Sequence, residues 1–346
     1  MPKRSSFKRW DPLNGEWVII APATAVRPWS GILVSNTKNE LPEFDPGCYL
    51  CPGVKRASGE INPDYTDIYV FENDFPSFSM SYTVDDEKKT HPLDESANGI
   101  CRVVCFSKKH NITLAEMTHE GILKVICAFR DQFNELSSIP DINNVMIFEN
   151  KGKVIGVSNP HPHGQIYATD FVPRTLLTRY SQARKFMDKK GICLFCSIIE
   201  EEIANGSRIV CQNEHFVAFV PYFAHYAYEI LLMPKRHVPT INELDEYELD
   251  SLACIYREIL IRYDNLFRMS FPNITIFNNA PCTEEFTPEP FHFHIDFCPP
   301  LRNRDKLKYM AGFETGGGNI INPSLPDESA ESLRTVPAIH YTKEAS

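Results

Sequence analysis

Five short patterns occur twice along this chain, in the same order. Cys48-Tyr-Leu-Cys51 is echoed by Cys193-Leu-Phe-Cys196, and the β-rich run ICRVVCFSKKH, ending at His110, by EILLMPKRH, ending at His237. A segment of helical period follows in both copies. Its apolar residues are Leu114, Met117, Ile122, Val125, Ile126 and Phe129 in the first copy, and Leu244, Leu249, Leu252, Ile255 and Ile259 in the second. PDINNVMIFEN, closing on Asn150, then matches PNITIFNN, closing on Asn279. Last, SNPHPHGQIYA, with His161 and His163, matches PFHFHIDF, with His292 and His294. One repeated Cys-x-x-Cys would be unremarkable, but five matched elements at similar gaps mark a duplicated unit.

Each unit reads as strands, a long helix and two more strands, which predicts an α+β fold of antiparallel sheets with helices packed on one side. The 346 residues are about twice one typical domain. We place the units at 1–175 and 190–346, with a connector at 176–189 inside the basic, helix-prone stretch PRTLLTRYSQARKFMDKKG. After about residue 315, GGGNIINPSLPDES predicts a loop region that wraps back over the other half.

A net charge of −10 argues against nucleic acid or anionic lipid as a partner, since both call for a basic face. An anionic small ligand would need a local cationic pocket. The basic N-terminus is followed by polar residues rather than an apolar stretch, and no run of 18 apolar residues occurs, so neither secretion nor membrane insertion is expected. Eleven cysteines, an odd number, with two pairs spaced Cys-x-x-Cys, fit a cytoplasmic protein with reduced thiols and bound metal.

Cys48, Cys51, His110 and His161 form one quartet; Cys193, Cys196, His237 and His292 form the other. Two thiolates and two imidazoles are the donors tetrahedral zinc prefers, which predicts two zinc ions per chain. The rival reading, redox-active or merely buried cysteines, is weakened because both copies carry the same two downstream histidines. A closed Cys2His2 shell has no room for a water nucleophile, so the predicted role is structural.

Chemistry is expected at HPHGQ, residues 161–165. With His161 turned to the metal, strand alternation puts His163 on the same side, and Gln165 after it. A neutral imidazole attacks phosphorus readily near pH 7. The amide of Gln165 can hydrogen-bond a phosphoryl oxygen without acting as a strong acid. His294 lacks the following Gly and Gln, which points to the first half as the active one.

Together with RPWSG at 27–31, NPDY at 62–65, ENDF at 72–75 and FENKG at 148–152, these motifs make the chain resemble the galactose-1-phosphate uridylyltransferase family, a branch of the histidine triad superfamily, from about Trp10 to His340. The resemblance implies two tandem histidine-triad-like units and exchange of UDP between glucose 1-phosphate and galactose 1-phosphate through a uridylylated histidine, His163. It implies uridine contacts by Asn73, Asp74 and Phe75, a phosphate contact by Arg27, and phosphoryl contacts by Asn150, Ser158 and Gln165. Lys308 and Glu314, in KYMAGFE, would meet the hexose. UDP-glucose, UDP-galactose and hexose 1-phosphates are the implied ligands and a homodimer the implied assembly, with no organic cofactor.

The chain also departs from the family pattern. Where enterobacterial members hold a second, different metal with a Glu and three His, it has Arg179, Asn278 and Asp296 and keeps only His294. Thr24 stands where many uridylyltransferases have a first arginine. The second Cys2His2 quartet and the tail GFETGGGNIINP lean toward plant-type relatives that act as ADP-glucose phosphorylases, the alternative activity. A non-catalytic, zinc-stabilised nucleotide-binding module is the third reading, and HPHGQ speaks against it.

Overall fold

A hairpin opens the fold: β1 (Phe7–Asp11) and β2 (Glu16–Ile20). Asp11 closes it, its carboxylate accepting the backbone N–H groups of Leu13 and Asn14. The computed structural model describes residues 5–25, 41–80, 91, 94–157 and 159–343. Two candidate ligand residues, Arg27 and Ser158, lie outside the described residues.

The first copy of the repeat comprises β3 (Tyr69–Glu72), β4 (Gly99–Cys105), α1 (His119–Ser137), β5 (Asn144–Lys151) and β6 (His163–Thr169). Helix α1 starts where the Thr118 hydroxyl accepts Gly121 N, and it buries Ile122, Val125, Ile126, Phe129 and Phe133. The basic connector is α2 (Arg174–Lys190), followed by α3 (Leu194–Asn205). The second copy comprises β7 (Ile209–Gln212), β8 (Phe216–Phe219), β9 (Ile230–Pro234), α4 (Glu246–Phe267), β10 (Asn273–Asn278) and β11 (His294–Cys298). Helix α4 is capped by the reciprocal pair Asp245 and Glu248. No helix among the described residues is long and apolar enough to cross a membrane.

The α+β architecture expected from the repeat is present, and the two half-sheets join. Nine strands run β3-β4-β6-β5-β10-β11-β9-β8-β7, each pair antiparallel. At the seam β5 pairs with β10, Ile147 opposite Phe277 and Lys151 opposite Asn273. Pairing the two edges satisfies backbone groups that each half would leave open. Both long helices cover one face over a shared core, in which the Phe129 ring meets Phe106 of its own half and Phe277 of the other.

The opposite face is covered differently in the two halves. Over the first half lies the loop carrying Cys48 and Cys51, packed on Val103 and Cys105 of β4. Over the second lie α2, α3 and the N-terminal hairpin, with Val18 and Ile20 against Val217, Phe219 and Leu231. The C-terminal segment runs through β12 (Leu301–Asn303), β13 (Lys306–Leu307), α5 (Gly312–Gly317), β14 (Ile321–Asn322) and α6 (Pro326–Thr335). It does return to the N-terminal strands, β14 pairing in parallel with β2. Two helices interrupt the loop that composition suggested. Glu314 caps α5 by accepting Ala311 N, and α6 starts on Pro326 with Asp327 and Glu328 in its first turn.

His225, between β8 and β9, sits 3.1 Å from Asp11 Oδ2 and 3.4 Å from Glu16 Oε1, tying the hairpin to the second half. Burial alone would lower its pKa, but Asp11, Glu229 and Glu16 raise it to about 9. The folded value therefore exceeds the unfolded one of about 6.5, so the stabilisation is fully present below that pH and is lost as pH rises through about 9. Between pH 7 and 10 the melting temperature should fall more steeply for the native chain than for His225→Gln. Parallel slopes would mean that the imidazolium contributes nothing.

Candidate active site and metal centres

His163 is the first residue of β6, and alternation puts His163, Gln165 and Tyr167 on one half-buried face while Gly164, Ile166 and Ala168 are buried. Cross-strand partners share a face, and His163 pairs with Cys105 and Gln165 with Val103. Because Cys105 and Val103 pack on the cysteine loop, the first quartet lies on the same face as His163. Gly164 is required by close approach: a Cβ there would stand 2.9 Å from Phe106 Cζ and 3.2 Å from Phe148 O.

His163 Nδ1 lies 2.7 Å from His161 O. A carbonyl only accepts, so Nδ1 carries the proton and the Nε2 lone pair is left for chemistry. Burial lowers the His163 pKa, partly offset by this hydrogen bond, so the ring is neutral at pH 7. Tyr167 donates to Gln165 Oε1 at 3.3 Å, which orients the amide with its NH2 free to meet an anionic oxygen. Tyr167 escaped the sequence reading, although the period-2 pattern of the strand places it on this face.

In the first quartet, Cys51 Sγ lies 3.5 Å from His161 Nδ1 and 3.8 Å from His110 Nδ1. In the second, Cys196 Sγ lies 3.5 Å from His237 Nδ1 and 3.6 Å from His292 Nδ1. Within each quartet all four donor atoms are within 4.8 Å of one another, a spacing that fits one four-coordinate ion. The far nitrogens are anchored alike: His161 Nε2 donates to Ser107 O and His292 Nε2 to Pro234 O, both at 2.9 Å. That bond fixes each tautomer with Nδ1 turned to the ion. Asn159, another residue the sequence reading passed over, accepts His161 N and donates to Cys48 Sγ at 3.3 Å. The donor chemistry therefore fits a metal at both places. Among the described residues a third group, Asp11, Glu16 and His225, has similar proximity, and there an imidazolium supplies the positive charge.

The counterpart of the His163 site in the second half is filled from within. His294 Nδ1 bonds His292 O at 2.8 Å, repeating the first-half geometry, but its Nε2 faces Arg179 Nη1 of α2 at 2.6 Å. The same guanidinium nitrogen lies 2.6 Å from Asp296 Oδ2, which also accepts Asn278 Nδ2 at 3.1 Å. Thus Arg179, Asn278, His294 and Asp296 do converge, around a guanidinium that supplies the cation. Burial pushes the His294 pKa down to about 4. Its nucleophilic lone pair is capped.

The remaining candidates fall into two groups. Asn150 lies on β5 beyond Phe148, the partner of Gln165, and shares its face by alternation. Asn73, Asp74 and Phe75 form a turn at the end of β3, with Phe75 78% exposed. Lys308 and Glu314 pair with each other: the ammonium lies 2.5 Å from the carboxylate and also reaches Ile321 O of β14, the partner of β2. Thr24 hydrogen-bonds Ala21 O, and its own carbonyl accepts Arg302 Nη2 at 2.9 Å.

A continuous antiparallel sheet presenting a neutral, singly anchored histidine beside a Cys2His2 quartet defines a duplicated histidine-triad architecture suited to group transfer. Residues 2–173 match the model of the galactose-1-phosphate uridyl transferase N-terminal domain and residues 179–345 that of its C-terminal domain. The chain is 39% identical over 343 residues to galactose-1-phosphate uridylyltransferase of Haemophilus influenzae, covering 98% of this chain and 97% of that protein. It is 38% identical to the Thermotoga maritima protein of the same name, over 94% and 97% of the respective chains. The solved ADP-glucose phosphorylase of Arabidopsis thaliana, with bound ADP-glucose, superposes with a TM-score of 0.76 at 25% identity, over 96% of this chain and all of that one. The chain belongs to the galactose-1-phosphate uridyl transferase family and is a transferase.

Proposed function

We propose that this chain transfers a uridylyl group from UDP-glucose to galactose 1-phosphate in two displacements on His163. In the first, Nε2 attacks the α-phosphorus, an N–P bond forms, and the bond from phosphorus to the bridging oxygen breaks. Glucose 1-phosphate leaves with that electron pair. In the second, a phosphate oxygen of galactose 1-phosphate attacks the same phosphorus, the N–P bond breaks, and UDP-galactose departs. The His161 carbonyl holds the Nδ1 proton throughout, which orients the ring and stabilises the charge it gains. Gln165, with Asn150, Arg27 and Ser158, would meet the phosphoryl oxygens, the turn of Asn73, Asp74 and Phe75 the uridine, and Lys308 and Glu314 the hexose.

Zinc is the proposed ion in both quartets, where Cys48, Cys51, His110 and His161 and Cys193, Cys196, His237 and His292 would hold it, and it would cross-link each cysteine turn to segments flanking the strands rather than activate a water. Units at 1–175 and 190–346, a homodimer and a cytoplasmic location complete the reading. The observation that carries it is His163 Nε2, without a hydrogen-bond partner among the described residues, beside an amide oriented by Tyr167. The uridylyl reading is preferred to adenylyl transfer because the relatives at 38% and 39% identity bear the uridylyltransferase name, whereas the phosphorylase is 25% identical.

Incubation with UDP-glucose alone, followed by intact mass measurement, should reveal one uridylyl group per chain; an adduct formed only from ADP-glucose would favour the phosphorylase. Gln165→His tests the amide. An imidazolium there would offer a proton that Gln165 lacks, so the variant should hydrolyse UDP-glucose slowly to UMP and transfer on the order of 10²-fold more slowly. Native-rate transfer by Gln165→His would rule out this role for the amide.

A further inference from the structure

The Asn73-Asp74-Phe75 turn is tied both to the sheet and to the loop that bears Cys48 and Cys51. Asn73 N donates to Cys101 O at 2.8 Å, and Phe75 N donates to Asn73 Oδ1 at 3.0 Å. Both oxygens of Asp74 are engaged from the cysteine loop: Arg56 Nη1 donates to Oδ1 at 2.9 Å and Ser58 N to Oδ2 at 3.2 Å. The Arg56 guanidinium also reaches Glu72 O at 3.3 Å, pairs with Glu60, and has Cζ 4.2 Å from the Phe71 ring centroid. Its side chain is only 5% exposed.

That loop is fastened in turn to the metal ligands. Asn62 Nδ2 donates to Tyr49 O at 2.9 Å and to Cys51 O at 3.0 Å. Tyr65 hydrogen-bonds Leu50 O and lies 3.2 Å from His161 Nε2. A connected set of contacts thus runs from Cys51 and His161 through the loop to Arg56, and from Arg56 to the turn. A planar, stacked, multiply bonded guanidinium is a joint that lysine cannot copy.

We propose that Arg56 is a positioning residue that clamps the Asn73-Asp74-Phe75 turn onto the metal-bearing loop, so that the nucleotide base meets a preformed surface. The inference rests on the proposed function, in which this turn meets uridine. Asp74 then acts through Arg56, leaving Asn73 and the exposed ring of Phe75 to face the base. A preformed turn binds more tightly because its ordering entropy is not lost on association.

The test is calorimetric titration of UDP, and separately ADP, into the metal-loaded full chain and its Arg56→Ala, Arg56→Lys, Asp74→Asn and Arg56→Ala/Asp74→Asn variants. Arg56→Ala should weaken UDP on the order of 10-fold and ADP less, at native metal content. Arg56→Lys should recover only part of the loss, and the double variant should bind no more weakly than the worse single one. Native UDP affinity in Arg56→Ala would overturn the clamp. If that variant loses metal or fails to fold, Asp74→Asn decides, since it keeps the guanidinium; native UDP affinity there is equally fatal. Failure of the native chain to bind UDP or to be uridylylated would instead count against the proposed function.

Discussion

His163→Ala should form no uridylylated species from UDP-glucose and lose transfer activity by on the order of 10⁴-fold or more, as expected when a covalent nucleophile is removed. His294→Ala should keep most of its activity. Both rings donate Nδ1–H to the carbonyl two residues back, so strand geometry does not separate them. What separates them is the other nitrogen: His294 Nε2 is 2.6 Å from an arginine that also holds Asp296, whereas His163 Nε2 has no hydrogen-bond partner among the described residues. The lowered pKa of His163 adds a pH signature. A depressed value keeps more of the ring neutral in mild acid than an ordinary imidazole would be, so the acid limb of adduct formation should lie below the usual histidine range. A folded, metal-loaded His294→Ala chain as inactive as His163→Ala would show that the wrong half has been assigned the chemistry.

Cys193→Ser should release one of two metal ions per chain and lower the melting temperature by on the order of 10 °C, with UDP affinity nearly unchanged. Metal in a closed shell contributes folding free energy because its ligands are not assembled in the unfolded chain. The second quartet joins α3 to the ends of β9 and β11, far along the sheet order from the nucleotide turn at β3. Cys51→Ser should behave differently, losing stability and UDP affinity together, because the first quartet is coupled to that turn through Asn62 and Arg56. Elemental analysis finding one metal in the native chain, or iron in the second half, would contradict the two-zinc assignment.

The duplicated strands and helices were legible because side-chain periods of 2 and 3.6 are written directly in residue order. The metal quartets were legible because few other arrangements call for two thiols and two imidazoles in the same order twice. The seam between β5 and β10 was not, since it is made by backbone groups that every residue possesses. Nor was the docking of β1 and β2 on the second half, which depends on contacts with residues some 200 positions away. Arg179 illustrates the limit at the site itself. Its identity as the residue replacing a carboxylate ligand could be read, but its convergence with His294 depends on how α2 lies across the sheet. Arg56 sits five residues beyond Cys51 and carries no motif of its own, so only the folded loop reveals its partner Asp74.

The placement of the N-terminal hairpin also sets an order of events during synthesis. Ile19 pairs with Ile321, and Val18 and Ile20 pack on residues from the second half. At ~5–20 residues per second, the roughly 300 residues between those partners take roughly 15–60 s to emerge. The hairpin lacks its core until Val217, Phe219 and Leu231 have emerged, and for the whole interval it lacks the strand that closes its edge. Trp10 and Trp17, half-exposed even in the finished fold, then have only contacts within the hairpin, their own edge-to-face packing and the Lys8 ammonium over the Trp17 ring. The hairpin residues, made long before β14, are therefore among the last to reach their final packing, and a chain stalled anywhere before β14 presents an unpaired, aromatic-rich strand edge for aggregation or chaperone capture.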